Sequence, residues 1–234
     1  MPGAPPTLIH LAEVDSTQAF LQRNLHLVPC AVVADRQTAG QGRQGRRWEG
    51  APGAGLFLSV ALPSPAGLLP GLALQWAMAR AAALLDPGGR VLGLKWPNDL
   101  VAWRSGSLAK VGGILGEQGG GRLLLGLGVN LSVAPVLPER DIPAASLADL
   151  GLPVPDRLRL AALISTEWMG LAEEPRIPFR WPEAGQAFRW EGGQGTCLGW
   201  EPDGRLKVAT AQGIERLTAG VVRGLQGPSG SPRP

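Results

Sequence analysis

The chain has 234 residues, 44% of them hydrophobic and 18% charged, with 34 glycines and 22 prolines spread between apolar runs. This is the composition of a globular protein rich in turns, and it excludes a fibrous or wholly disordered chain. A net charge of +3 could serve a polyanion, but the basic groups are dispersed among 19 acidic residues and form no aromatic-studded basic run, so no nucleic-acid surface is expected.

In chain order, the N-terminal MPGAPPTLIHLAEVD lacks a basic region followed by an apolar core, so it does not read as a signal peptide, and a cytoplasmic location follows by default. Leu8 to Val14 predicts a strand, and Ser16 or Thr17 predicts the N-cap of a helix from Gln18 to Asn24. Cys30 and Cys197 lack metal-ligand spacing and are expected to be small buried residues. Strands are predicted at Ala31 to Ala34 and Leu56 to Leu62. The run Asp35 to Leu58 spans the gap between them and carries four arginines and six glycines. Backbone that flexible beside that much positive charge suits a loop closing over phosphates.

Residues 51–79 carry no charge, but Pro63, Pro65 and Pro70 interrupt them, so they read as strand, turn and helix rather than a membrane span. Leu72 to Leu85 is apolar nearly all round and predicts a helix buried against a sheet. Further strands are predicted at Val91 to Trp96, Val111 to Gly116 and Leu123 to Leu131, with turns at Pro97 to Asp99 and Gly119 to Gly121. Asp156 is placed as the cap of a helix running through Leu171. The stretch from Glu173 to Pro182 carries three prolines and loses periodicity, which puts a domain boundary near Glu183. Beyond it, runs at Thr196 to Trp200, Leu206 to Thr210 and Val221 to Leu225, separated by turns, predict a small antiparallel barrel. The expected division is 1–182, 183–226 and a disordered tail at 227–234.

Polar signatures punctuate the apolar runs: VDSTQ at Val14 to Gln18, GQGRQGRRW at Gly40 to Trp48, LKWPNDLV at Leu94 to Val101, SLAKVGGILGEQ at Ser107 to Gln118, and GLGVNLS at Gly126 to Ser132. Only 3 of the 22 basic residues are lysines, and two of those, Lys95 and Lys110, fall inside signatures. Those positions call for a compact ammonium rather than a planar fork.

In this order the set resembles the biotin protein ligases, over roughly Leu8 to Leu225. The resemblance implies an α+β fold, with a class II synthetase-like mixed or antiparallel sheet and helices, followed by an SH3-like C-terminal module. It also implies that biotin and ATP react to biotinyl-5'-AMP, and that biotin then passes to a lysine of a biotin carboxyl carrier protein, a subunit of acetyl-CoA carboxylase. Little sequence precedes the VDSTQ signature, so the type expected is ligase-only, without a DNA-binding domain or membrane partner.

The resemblance assigns Arg43 to the phosphate loop, with Gly40, Gln41, Gly42, Arg46, Arg47 and Trp48 around the adenylate. Gln41 and Gln44 stand where the commonest GRGRRG form has arginines, which replaces two charged donors by neutral ones. Lys110 is assigned to the biotin carboxylate and α-phosphate, beside Gly113. Ser16, Thr17, Gln18 and Gln37 match the partners of the ureido ring. Lys95, Asn98 and Asn130 are placed at the nucleotide, with Trp48 on the purine. Asp99 is expected to orient and help deprotonate the carrier lysine, the alternative being a place near Mg²⁺ at the phosphates; no residue is assigned as a metal ligand. Two rival readings are a lipoate or octanoate ligase or transferase of the same fold, and a non-catalytic sensor.

Overall fold

The computed structural model describes residues 5–64, 69–137, 141–170 and 179–224. The expected tail at 227–234 and most of the proline-containing connection lie outside these residues. The described residues up to Trp181 build an eight-stranded mixed sheet in the order β1 (Thr7–Val14), β2 (Cys30–Gln37), β3 (Gly55–Pro63), β7 (Arg122–Asn130), β6 (Ser107–Gly119), β5 (Asp99–Arg104), β4 (Leu92–Lys95) and β8 (Arg180–Trp181). The inner pairs are antiparallel, while the flanking pairs β1 with β2 and β4 with β8 are parallel.

Strand alternation decides what each face carries. Val33, Leu58, Val60, Leu125, Leu127 and Val129 point to one face and form the main core with α2 (Pro70–Leu85) and α3 (Arg157–Met169). Cys30, Val32, Ala61 and Leu124 point the other way, under α1 (Thr17–Arg23) and its Leu21. Beyond α1 on that second face, β7 presents Gly126 and Gly128, and β3 presents the buried Ser59. An added Cβ at Gly126 would stand 2.7 Å from the Gln18 amide oxygen, and one at Gly128 would overlap the Trp48 indole. The sheet therefore has a shelf of bare backbone where its apolar cover stops.

A second, antiparallel sheet follows in the order β12 (Gly213–Leu217), β11 (Leu206–Thr210), β10 (Gly193–Trp200), β9 (Ala187–Trp190) and β13 (Arg223–Gly224). Its Phe188, Cys197, Leu206, Val208 and Val222 share one buried cluster with Trp96, Val101 and Leu108 of the large sheet. The fully buried Trp96 donates its indole N–H to the Gly204 carbonyl at 3.1 Å, and Gln75 of α2 donates to the same oxygen at 2.9 Å. Gly204 has φ +88, and a Cβ there would run into the Gly71 backbone at the start of α2. Gly204→Ala therefore combines left-handed strain with a backbone clash and is expected to cost about 1–3 kcal/mol. A urea titration reads this directly, and an unchanged midpoint would show that the turn gives way.

Several elements depart from the sequence expectation: β6 runs from Ser107 to Gly119 where Val111 to Gly116 is expected, and β8, β9 and β12 have no expected counterpart. β5 has no expected counterpart beyond the turn at Pro97 to Asp99, because both its faces are covered and no polar alternation marks DLVAWR as a strand. β2 extends beyond Ala34 to Gln37, which brings Gln37 into register with Val14. α3 ends at Met169 with Gly170 as its C-cap, short of Leu171.

Candidate active site

One cavity of about 870 Å³ opens on the shelf, between α1, the Gly40 to Trp48 loop, the β4–β5 turn, the start of β6 and the second sheet. A β-bulge aims its central cation. Opposite β5, Lys110 pairs with Val101 and Gly112 with Leu100, leaving Val111 as an extra residue. In a regular strand residues 110 and 113 would face opposite sides; the bulge restores one phase, a use of bulges common beside functional sites. A Cβ on Gly113 would accordingly lie 3.3 Å from Lys110 Nζ.

The tight β4–β5 turn pairs Lys95 with Asp99, and Asp99 faces both lysines. Lys110 Nζ lies 2.6 Å from Asp99 Oδ1, and Lys95 Nζ lies 3.8 Å from Oδ2. Arg43 donates to Asn98 Oδ1 at 3.2 Å, while Asn98 Nδ2 donates to the Ile114 carbonyl at 2.8 Å. Burial alone would raise the Asp99 carboxyl, but Lys110, Lys95 and Arg43 outweigh it and hold the group below its ordinary value. Burial lowers the Lys95 ammonium, and Asp99 offsets this only in part. Burial likewise lowers the Arg43 guanidinium, which stays charged. Three cations thus surround one carboxylate, and the excess positive charge faces the cavity. Lys95 Nζ also lies 5.4 Å from the Trp181 ring, and Lys110 Nζ lies 5.5 Å from the Trp48 ring.

The neighbouring end of the cavity is polar but uncharged. Ser16 caps α1 by accepting from Ala19 N at 3.4 Å. Thr17 donates from its backbone N (2.8 Å) and its hydroxyl (3.1 Å) to Gln37 Oε1, and its hydroxyl lies 2.8 Å from Ser59 Oγ. This fixes the Gln37 amide with its Nε2 turned from Thr17. Gln18 lines the same wall. Asp15 stands outside, its carboxyl lowered to about 2 by the Arg23 guanidinium that donates to it through two nitrogens.

The arginine loop is a folded hairpin. Gly42 N donates to the Arg46 carbonyl at 2.8 Å, Trp48 N donates to the Gly40 carbonyl at 3.0 Å, and Gln41 bridges to Arg47. Its tip turns through Gln44 at φ 56 and Gly45 at φ 71. Gln41, Gly42, Arg43, Arg46, Arg47 and Trp48 reach the cavity wall, but Arg47 also donates to the Thr38 carbonyl at 2.8 Å and so braces the loop. Gly40 does not line this cavity. Its missing side chain serves the loop itself, since a Cβ would stand 2.6 Å from the Trp48 carbonyl oxygen. Asn130 lines the cavity and donates to the Ala145 carbonyl at 3.1 Å, fixing the segment around Ala145.

Sequence reasoning missed Ser59, Glu117, Asp141 and Arg223. Ser59 was legible as the one hydroxyl in the apolar run GLFLSVALP. Arg223 Nε donates to Asp141 at 2.6 Å and brings the second sheet to the cavity rim, a contact without local signal. Among the described residues no group of three or more His, Cys, Asp or Glu could hold a metal ion. Asp99 is enclosed by the ammoniums of Lys95 and Lys110 and so does not suit a resident Mg²⁺. No described helix is long and apolar enough to cross a membrane.

The chain is similar to the biotin–[acetyl-CoA-carboxylase] ligase of Mycobacterium tuberculosis, with 40% identity over 58% of this chain and 51% of that one. It spans about half the length of the curated relatives it matches. Among solved structures, the biotin protein ligase of Aquifex aeolicus in complex with biotin and ATP aligns over 93% of this chain and 97% of that one, at 28% identity and a TM-score of 0.71. That of Leishmania major in complex with biotinyl-5-AMP aligns over 92% and 100%, at 26% identity and a TM-score of 0.59. The model of the biotin/lipoate A/B protein ligase family matches residues 11–133, more than half of the chain, and the chain belongs to that family.

Proposed function

We propose that this chain is an ATP-dependent biotin protein ligase. The observation that carries the reading is a single cavity in which Arg43, Lys95 and Lys110 surround Asp99 next to a wall of fixed amides and hydroxyls. In the first step a biotin carboxylate oxygen attacks the α-phosphorus of ATP and pyrophosphate leaves. Two anions must be held together for this, a task of positioning and electrostatic stabilisation. Lys110 bridges the carboxylate and the α-phosphate, Arg43 covers the phosphates from the loop, and Lys95 holds the triphosphate side. In the second step the carrier lysine's amine attacks the acyl carbon, AMP leaves, and the nitrogen loses a proton.

Asp99, with its carboxyl held low, suits the task of orienting the incoming ammonium better than that of keeping its proton. Asp99→Asn is expected to slow transfer from preformed adenylate by about 10²-fold, the cost of misplacing a nucleophile. Adenylate formation should fall less. Single-turnover transfer to a carrier domain checks this, and equal losses in both steps would remove Asp99 from the second.

Mg²⁺ enters here as the complex of ATP, held through the phosphates. We place the catalytic unit at 1–182 and the C-terminal unit at 183–226, the carrier as a biotin carboxyl carrier protein of acetyl-CoA carboxylase, and the site of action in the cytoplasm. The family also contains lipoate ligases, and the alternative is a lipoate or octanoate ligase of this fold; the amide-lined end of the cavity favours biotin, whose ring carries N–H and C=O groups to satisfy. ATP/pyrophosphate exchange with each acid tests the reading. Exchange with lipoate and none with biotin would overturn it.

A further inference from the structure

Gln18 is 3% exposed, yet its amide oxygen has no hydrogen-bond partner. A buried acceptor without a partner is costly, and such a group calls for an explanation. Its orientation is set from outside the cavity. Gln18 Nε2 donates to Glu117 Oε1 at 3.3 Å, and Gln22, one turn further along α1, donates to Glu117 Oε2 at 2.7 Å. An ionised carboxylate only accepts, so a flipped Gln18 amide would set oxygen against oxygen. Glu117 therefore holds the nitrogen, and the oxygen is turned to the shelf over Gly126, where the cavity runs. Next along the shelf, over Gly128, the Trp48 indole N–H is also buried without a partner. One orphaned acceptor and one orphaned donor thus stand over neighbouring positions of the same strand face.

We propose that Glu117 is a positioning residue for ligand selection. By locking the Gln18 amide it presents a fixed acceptor that only a ligand ring bearing an N–H can satisfy. This rests on the biotin reading and deepens it: a cyclic urea supplies the N–H, whereas a dithiolane ring of the same acyl class supplies none. A site built to bond an N–H rejects an analogue lacking it far more strongly than an apolar pocket rejects a change in shape.

The test measures ATP/pyrophosphate exchange by the full chain with biotin, with biotin methylated at its ureido nitrogens, and with lipoate, for the wild type, Glu117→Ala and Glu117→Gln. Glu117→Ala frees the amide to turn, and its biotin KM should rise roughly tenfold to hundredfold, the loss falling on that KM rather than on kcat or the ATP KM. Glu117→Gln keeps one acceptor and should recover most of the loss. The wild type should use the methylated analogue far more poorly than biotin, a comparison that does not depend on any variant folding. Biotin-specific exchange with an unchanged biotin KM in Glu117→Ala, or with the methylated acid as good a substrate as biotin, overturns the proposal alone. Exchange with lipoate and not biotin in the wild type overturns the biotin reading and the proposal together.

Discussion

Lys110→Ala is expected to slow biotin-dependent ATP/pyrophosphate exchange by about 10²–10³-fold, the range for removing one preorganised electrostatic partner of a transition state. The reason is geometric. The bulge at Val111 turns Lys110 to the same side as Gly113, and its ammonium lies 2.6 Å from Asp99 at the centre of the cationic cluster. The side chain is 31% exposed, so its loss creates no closed cavity, but it leaves the buried Asp99 with one cation fewer, and the unfolding midpoint should fall. Lys110→Arg keeps the charge but replaces a compact ammonium by a planar fork in a space closed by Trp48, and should recover little. Near-normal exchange by Lys110→Ala would show that another cation carries the first step.

Trp96→Ala should have the largest effect on stability, about 3–5 kcal/mol, as for large aromatic truncations in cores. Trp96 is fully buried in the cluster that joins the two sheets, and its indole N–H is one of two donors to the Gly204 carbonyl. Because Trp96 sits between Lys95 and the turn leading to Asp99, the same loss should reach the site, raising the ATP KM along with the cost in urea. Trp96→Phe keeps most of the ring volume and loses one hydrogen bond, so it should cost only about 0.5–1.5 kcal/mol. If alanine and phenylalanine cost the same, the packing account of the junction is wrong.

How much of this was legible in the sequence depended on whether the signal was local. The cap at Ser16 or Thr17, the buried helix α2 and the apolar strands β3 and β7 follow from short-range pattern, and each expectation lies within a few residues of the observed bounds. The resemblance carried by the signatures pointed to Arg43, Lys95, Asp99 and Lys110, because glycines and polar groups interrupting apolar strands are visible as such. What stayed hidden was relational. β5 has apolar residues on both faces because the second sheet covers one of them, and no residue of DLVAWR announces that cover. Gly126 and Gly128 read as turn or strand glycines, whereas their task is to leave room for the Gln18 amide and the Trp48 indole. Glu117 lies within the SLAKVGGILGEQ signature, but its partners Gln18 and Gln22 lie 99 and 95 residues away in the chain.

The most direct test of the account is the mass of a purified biotin carboxyl carrier domain after incubation with this protein, ATP and biotin. The account predicts a gain of one biotinyl group on a single lysine, absent without ATP and strongly reduced with Lys110→Ala. A carrier that stays unmodified while the protein binds both small molecules, or one that gains a lipoyl group in preference to biotin, would contradict it.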